Sequence, residues 1–406
     1  MATLRYYRRR LNRLVSTPTF QLVSICLLLV VAVRWVLKHN HDDDIVGQVA
    51  HPVLSVEDSS IDWSKLYYVQ YVTTPDYLCN ALMIWSEIEE IGSRAQRQVE
   101  LIARLAEAST DTVGRLLMYP SNWDINAIDD YNPAQDLTPI ARLLQKAQQD
   151  YFVKLQPVDV LHQNSSAQET WADSYTKLLA FNLTSFDRVL ALDSDGVVLQ
   201  NLDALFLLPK APLAMPYTYW GMPTGWQFSS QMLLLEPSSS TFEKVEHAIR
   251  NAKPDEYDMD ILNTLFKGQI LKIPQRPYNL LSGEFRRVNH AAYLSSSTYT
   301  KAQEQWNPDE ILASAAYLHF SDWPIPKPWM RAPQTLLNKY MPKCRKSEWF
   351  GASDCRDREV WTKLYFDFAL RRMTVCGMGF ELQSQELPED SVYRHGRWYH
   401  PDEVGS

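Results

Sequence analysis

Short runs of apolar, aromatic and β-branched residues alternate along this chain with stretches whose apolar positions recur every three or four residues, and that alternation admits few folds. Leu66-Tyr67-Tyr68-Val69-Gln70-Tyr71-Val72 reads as a strand, broken by Thr73-Thr74-Pro75-Asp76 before helical spacing from about Tyr77 to Ile91. A second helix is expected around Arg94 to Ala108, then strands at Arg115 to Pro120 and Val158 to Leu161. Trp171, Tyr175, Leu178 and Leu179 give a helix from about Thr170 to Asn182, leading into the strand Arg188-Val189-Leu190-Ala191-Leu192. The pattern continues through Met232 to Leu235, a helix near Ser240 to Asn251 and a strand at Gln269 to Ile273. Strands separated by helices imply an α/β fold with a mostly parallel sheet covered on both faces, which binds ligands at the carboxyl ends of its strands. A last amphipathic helix, near Asp354 to Val375, carries Asp357 and Glu359 early, Arg371 and Arg372 late, and Gly377 as its stop.

Hydrophobic residues make up 46% and charged residues 22% of the 406, which excludes disordered, collagen-like and coiled-coil chains. The net charge of −8 is unevenly spread. Residues 1 to 38 carry seven Lys/Arg and no Asp/Glu, leaving 33 Lys/Arg against 48 Asp/Glu, or −15, for the rest. No nucleic-acid partner is expected of so acidic a body. In the basic end, the uncharged run Pro18 to Val33, closed by Arg34, Trp35 and Lys38, fits one short membrane span if Arg34 snorkels, since ~30 Å of hydrocarbon takes about 20 residues. A span this short suits a thin, early secretory membrane. Arg5, Arg8, Arg9, Arg10 and Arg13 precede the run and Asp42, Asp43 and Asp44 follow it, which keeps the N-terminus cytosolic. No small-x-small cleavage site follows Val33, so the run reads as an uncleaved signal-anchor. The expectation is a cytosolic tail over residues 1–19, a transmembrane anchor over 20–37, a lumenal stem over 38–62, a globular domain over 63–335 and a helical extension packed on it over 336–406. In an oxidising lumen Cys79, Cys344, Cys355 and Cys376 allow three pairings, of which Cys344 with Cys355 closes the shortest loop. Asn164 and Asn182 head glycosylation sequons.

The sharpest chemical feature is Val189-Leu190-Ala191-Leu192-Asp193-Ser194-Asp195, two carboxylates two residues apart at the end of an apolar strand. Extended backbone puts i and i+2 on one side. Two hard oxygen donors so held suit octahedral Mn²⁺ or Mg²⁺ whose other ligands are phosphate oxygens and water. The competing structural reading, one Asp capping a turn and the other solvated, is the commoner fate of a bare Asp-x-Asp. Here the apolar strand before the pair and Asn201-Leu202-Asp203-Ala204-Leu205-Phe206 after it favour the metal.

This segment resembles the glycogenin-like glycosyltransferases of family 8, in which "LDSD", an apolar run and "NLDALF" carry the metal-binding pair. The resemblance extends over roughly residues 66 to 330. Ser174-Tyr175-Thr176-Lys177-Leu178 is similar to the family's lysine-bearing helix near the nucleotide sugar, and Glu256-Tyr257-Asp258-Met259-Asp260-Ile261-Leu262-Asn263 to its acidic segment beside the sugar. Tyr278-Asn279-Leu280 resembles the "YNL" loop, and His319-Phe320 with Lys327-Pro328-Trp329 the family's closing motif. The resemblance implies a single GT-A-like, Rossmann-like domain, with Asp193, Asp195 and His319 as metal ligands. It implies that Thr73, Tyr77, Lys177, Ser194 and Lys327 bind a UDP-sugar and that Asp258, Asp260 and Lys177 act in catalysis. Asp258 also stands at cap spacing before Ile261 and Leu262, so one of the two acids can serve as a helix cap instead.

The single anchor and the "YDMDI" wording look closer to fungal Golgi N-acetylglucosaminyltransferases of the same family. That implies a type II Golgi glycoprotein which transfers N-acetylglucosamine with retention from UDP-GlcNAc to a mannose-containing glycan, using Mn²⁺ or Mg²⁺. Phe228-Ser229-Ser230-Gln231, Met259 and Pro75 depart from the family's usual residues. They motivate two alternatives: a glucosyl- or galactosyltransferase of the same fold, or a catalytically silent lumenal sugar-binding protein. A metal-dependent hydrolase would need more ligands than nine scattered histidines supply. Trp306, Trp323 and Trp329, each near a proline, are candidates to stack on sugar rings, although large aromatics there are more often core.

Overall fold

Leu66–Tyr71 forms β1, and Thr74, whose side chain accepts a bond from the Tyr77 N–H, starts helix α1 at Pro75–Ile91, which Gly92 ends in the left-handed region at φ 71°. Strand β2 (Gly114–Pro120) follows, then α2 (Pro139–Asp150), β3 (Lys154–Val158), β4 (Arg188–Leu192), β5 (Gly196–Val198), β6 (Leu213–Pro216) and β7 (Met232–Leu235). After these come α3 (Ser239–Arg250), α4 (Asp258–Leu265), β8 (Leu271–Ile273), β9 (Leu280–Leu281), β10 (Tyr317–His319) and the long helix α5 (Arg356–Cys376). The computed structural model describes residues 61–92, 113–130, 135–163, 172–221, 227–295, 304–346, 353–378, 392–394 and 397–399. The expected tail, anchor and stem up to residue 60, the helix at Arg94 to Ala108, Trp171 and the Asn164 sequon lie outside them. Among the described residues no helix is long and apolar enough to cross a membrane.

Seven strands make the main sheet in the order β3-β2-β1-β4-β7-β6-β8. All pairings are parallel except those of β7 with β4 and β6, so β7 alone runs against the others. The expected α/β architecture with a mostly parallel sheet is therefore the one observed. Alternation along β4 sends Leu190 and Leu192 to the face covered by α1, and Val189 and Ala191 to the face covered by Tyr175, Phe181, Val245 and Ile261. Both faces are thus buried, as an uninterrupted apolar run requires. Strand β3 falls earlier than expected from Val158 to Leu161: it is the sheet's edge, half-exposed along its length, and its polar residues give no apolar signal. The expected helix at Thr170 to Asn182 is instead a 3-10 run over Ser174–Asn182. Tyr175, Thr176 and Lys177 point to three different partners, Glu256, Leu161 and Asp193, and these outside bonds override a regular α-helical ladder.

A second sheet, β5-β10-β9, stands over α1. Beneath it Glu87 is buried, and its Oε2 accepts the Val198 N–H at 2.8 Å. Helix α5 packs along α1 and is fastened there by a Cys79–Cys376 disulfide, by Arg371 to Glu87 (3.4 Å) and Glu90 (2.7 Å), and by Arg372 to Asp76 (2.6 Å). Its arginines thus form ion pairs with α1, and Gly377 ends the helix at φ 68° as expected. Cys344 pairs with Cys355, as the short loop suggested, flanking the two-stranded pair Arg345–Lys346 and Ser353–Asp354.

Burial pushes the Glu87 carboxyl up from 4.5 to about 8, against the opposing pull of Arg371. The folded protein then keeps a proton that the unfolded chain releases above pH 4.5, so stability should fall as pH rises through that window. Glu87→Gln should flatten this slope by on the order of 1 kcal/mol per pH unit. Urea midpoints of both proteins between pH 5 and 8 check it, and parallel profiles would contradict it.

Candidate active site

Strand β4 leads into Asp193-Ser194-Asp195, and β5 then pairs antiparallel with β10 in a register that sets His319 opposite Gly196. The Phe320 N–H closes on the Asp195 carbonyl at 2.9 Å. Tyr317 crosses under the turn and donates its hydroxyl proton to the Asp193 carbonyl at 2.7 Å. Residue 196 must be glycine for this, since a Cβ there would lie 2.3 Å from the Tyr317 hydroxyl. The main chain of both acids is thereby fixed from either side, because the Asp193 N–H also donates to the Gln231 carbonyl at 2.9 Å.

Two cations and a histidine meet the pair. His319 Nε2 lies 2.9 Å from Asp195 Oδ1 and 3.9 Å from Asp193 Oδ2, and Lys327 Nζ lies 2.5 Å from Asp195 Oδ2. Lys327 also donates to the Phe320 carbonyl at 2.7 Å. Lys177 Nζ, 2% exposed, reaches Asp193 at 2.7 Å, Asp258 at 2.8 Å and the Ser230 carbonyl at 2.8 Å. All three of its N–H bonds are thus directed at protein oxygens, so Lys177 reaches a ligand through the carboxylates it holds. Burial disfavours its charge, but Asp193 and Asp258 outweigh that and raise its pKa. Burial also opposes ionisation of Asp195, yet His319 and Lys327 hold its carboxyl well below the usual range. Asp258 is likewise lowered, Lys177 overcoming burial. Asp193 is the least comfortable of the three: burial raises its pKa, Lys177 opposes this, and the neighbouring Asp195 charge adds to the rise. One ligand atom from each of Asp193, Asp195 and His319 falls within 4.8 Å of the others, a grouping that can hold a metal ion.

A cavity of about 730 Å³, within the range of small-ligand sites, opens over this cluster. Thr73, Tyr77, Lys177, Asp193, Ser194, Asp195, Asp258, Asp260, His319 and Lys327, the ten residues for which the family resemblance implies a metal-binding, donor-binding or catalytic role, border it. The two acids of the later segment part company: Asp258 faces Lys177, whereas Asp260 accepts the Tyr257 N–H at 3.0 Å and caps α4. Asn263 grips both the N–H and the carbonyl of Phe228, at 2.9 and 2.8 Å, and so holds the divergent Ser229-Ser230-Gln231 stretch in place. Asn279 of the "YNL" loop is fully buried, donating to the Tyr217 carbonyl at 2.8 Å and accepting from Gln231, so its work is structural. Of the three tryptophans, Trp306 stacks on His290 at 3.8 Å and Trp329 is buried against Tyr77 and Phe368, while Trp323 lines the cavity. The sequence reading missed Tyr71, over whose ring Lys177 sits at 5.7 Å, and Tyr317, Tyr365 and Asp322. Single tyrosines and one aspartate outside any motif leave no periodic signal.

Known proteins resemble the chain along most of its length. Residues 100–210 match the family described as "Mannosyltransferase putative". A glucose N-acetyltransferase 1 of Gibberella zeae is 40% identical over 319 residues, which cover 78% of this chain and 63% of the relative. The chain therefore spans less than two thirds of that relative's length. A glucose N-acetyltransferase 1 of Aspergillus fumigatus is 37% identical over 338 residues, 80% of either chain. Glycogenin-1 of Caenorhabditis elegans is 25% identical over 199 residues, 44% of each, in line with the glycogenin-like resemblance of the motifs.

Proposed function

The chain belongs to the glucose N-acetyltransferase 1 family, and from that premise we propose that it is a metal-dependent, retaining glycosyltransferase that moves N-acetylglucosamine from UDP-GlcNAc to a mannose-containing glycan. The observation that carries this is the cluster of three carboxylates, two ammoniums and one imidazole at the base of a single cavity. Two oxygen donors and one nitrogen donor within 4.8 Å fit Mn²⁺ or Mg²⁺, so Asp193, Asp195 and His319 would hold it. Bound there, such an ion supplies Lewis-acid neutralisation of charge developing on a diphosphate leaving group.

The chain's own residues do the rest. Lys327, fixed by Asp195 and Phe320, keeps one N–H for a phosphate oxygen. Lys177 bridges Asp193 and Asp258, holding Asp258 ionised and opposing the rise that burial imposes on Asp193. Asp258, its carboxylate at the cavity wall, is suited to orient sugar hydroxyls or to stabilise positive charge building on the sugar ring. Retention follows if the acceptor attacks on the face the diphosphate leaves and hands its proton to the departing oxygen. By the same reading residues 20–37 anchor the chain in the Golgi membrane as a type II protein with this site in the lumen, on the strength of the basic flank before them and the acidic one after.

The relatives' name also admits acetyl transfer to glucose. The acid and lysine cluster favours a donor whose diphosphate is the leaving group, because acetyl transfer from acetyl-CoA releases a thiol and leaves that molecule's own diphosphate remote from the reacting bond. The full-length chain should therefore hydrolyse or transfer from UDP-GlcNAc in a Mn²⁺-dependent manner when screened against UDP-GlcNAc, UDP-glucose, UDP-galactose and acetyl-CoA. Turnover of acetyl-CoA alone would overturn the proposal. UDP bound with no turnover of any donor would favour the silent sugar-binding alternative.

A further inference from the structure

We propose that Trp323 is the platform on which a pyranose ring of the glycan acceptor stacks, an inference that rests on the reading of this site as a glycosyltransferase. Among the described residues, Ile128, Phe152, Leu207, Val288, Trp323, Phe366, Leu370 and Met373 are the large apolar side chains left exposed, and of these Trp323, at 75%, is the one that borders the cavity. Scattered exposed apolar residues are ordinary. This one borders the cavity, and its backbone is firmly held.

Its neighbour Asp322 is buried, and the Asp322 carboxylate accepts bonds from the Ser282 hydroxyl, from Tyr365 at 2.9 Å and from Trp361 Nε1 at 3.2 Å. Arg286 lies 3.4 Å from that carboxylate and 3.4 Å from the Trp323 carbonyl, and the Ile325 N–H returns to the Asp322 carbonyl at 2.9 Å. The backbone on both sides is thus pinned to the core while the indole stays in solvent, on the same cavity wall as Ile325, Pro326 and Lys327. The backbone here needs no ordering on binding, so only the two torsions of the indole are left to be fixed.

The chemistry of the position selects the ligand. The charged end of the donor belongs with buried Asp195 and partly buried Lys327. Trp323 lies at the exposed mouth and offers a flat apolar face with one N–H at its edge. A sugar ring has the matching surface, a patch of C–H groups rimmed by hydroxyls, and an acceptor must approach from the open side once the donor fills the interior. The uracil ring of the donor is the competing occupant, and the test separates the two.

Trp323→Ala and Trp323→Phe in the full-length chain are compared with the wild type for binding of mannobiose, mannotriose, lactose and maltose, read by saturation-transfer NMR, and of UDP, read by calorimetry. The Ala variant should weaken saccharide binding by roughly tenfold, the size of one aromatic contact, with most of it recovered in Phe and UDP affinity unchanged. Equal saccharide binding by wild type and Ala variant, a parallel fall in UDP affinity, or no saccharide binding by the wild type would each overturn the proposal. Because the saccharide readout needs no turnover, a chain inactive on every donor would count against the proposed function and leave this result standing.

Discussion

Replacing Asp195 by Asn should lower UDP-sugar turnover by about 10³-fold while leaving the fold intact. Asn keeps the size and one oxygen of the carboxylate but not its charge. Asp195 is the acid on which His319 Nε2 (2.9 Å) and Lys327 (2.5 Å) converge, and those two neighbours hold it ionised against its own burial. The wild-type cluster sets three carboxylates against two ammoniums, a deficit that a divalent ion reverses to suit a diphosphate. Asp195→Asn removes one unit from the negative side, so the ion is held less well and Lys327 loses its ionic partner while keeping the Phe320 carbonyl. Mn²⁺ affinity measured by calorimetry should fall along with turnover. Asp260→Asn supplies the contrast: Asp260 is spent on the Tyr257 N–H, so the variant should cost about 1 kcal/mol of stability and little turnover. Turnover by Asp195→Asn within tenfold of the wild type, or a larger loss in Asp260→Asn, would contradict the assignment.

The parts of this site that were legible in the sequence are those with local causes. The strand Arg188–Leu192 is apolar from Val189 onward because both faces of β4 are covered, and the carboxylates follow directly at its end. The break before α1 and the glycine stop of α5 are likewise local. His319 was reachable through motif resemblance alone. It meets Asp195 because β5 and β10 pair, and each is a three-residue strand too short to carry a propensity signal. The division of labour between Asp258 and Asp260 was left open for a similar reason: cap spacing suits either acid, and the position of Lys177 decides between them. The 3-10 course of Ser174–Asn182 was invisible because it answers to partners distant in sequence.

The Cys79–Cys376 bond belongs to the same class, since a separation of 297 residues gives no spacing clue, and its loss should have the largest effect on stability. In the chain-entropy picture a loop of that length contributes roughly 5 kcal/mol, against roughly 3 for the Cys344–Cys355 loop with its separation of 11. The longer bond also has mechanical consequences. It fastens the end of α5 to the first turns of α1, and α5 carries Trp361 and Tyr365, which hold Asp322 at the cavity wall. Cys79→Ala with Cys376→Ala should therefore lower the urea midpoint more than Cys344→Ala with Cys355→Ala, and should expose α5 to proteolysis under conditions where the wild type resists. Arg371 and Arg372 still pair with Glu90 and Asp76 in such a variant, so the helix should loosen without detaching, and saccharide binding at Trp323 should weaken before turnover of the donor does. A greater loss of stability from the shorter bond would show instead that α5 is held by its packing and ion pairs, with the Cys79–Cys376 bond adding little to them.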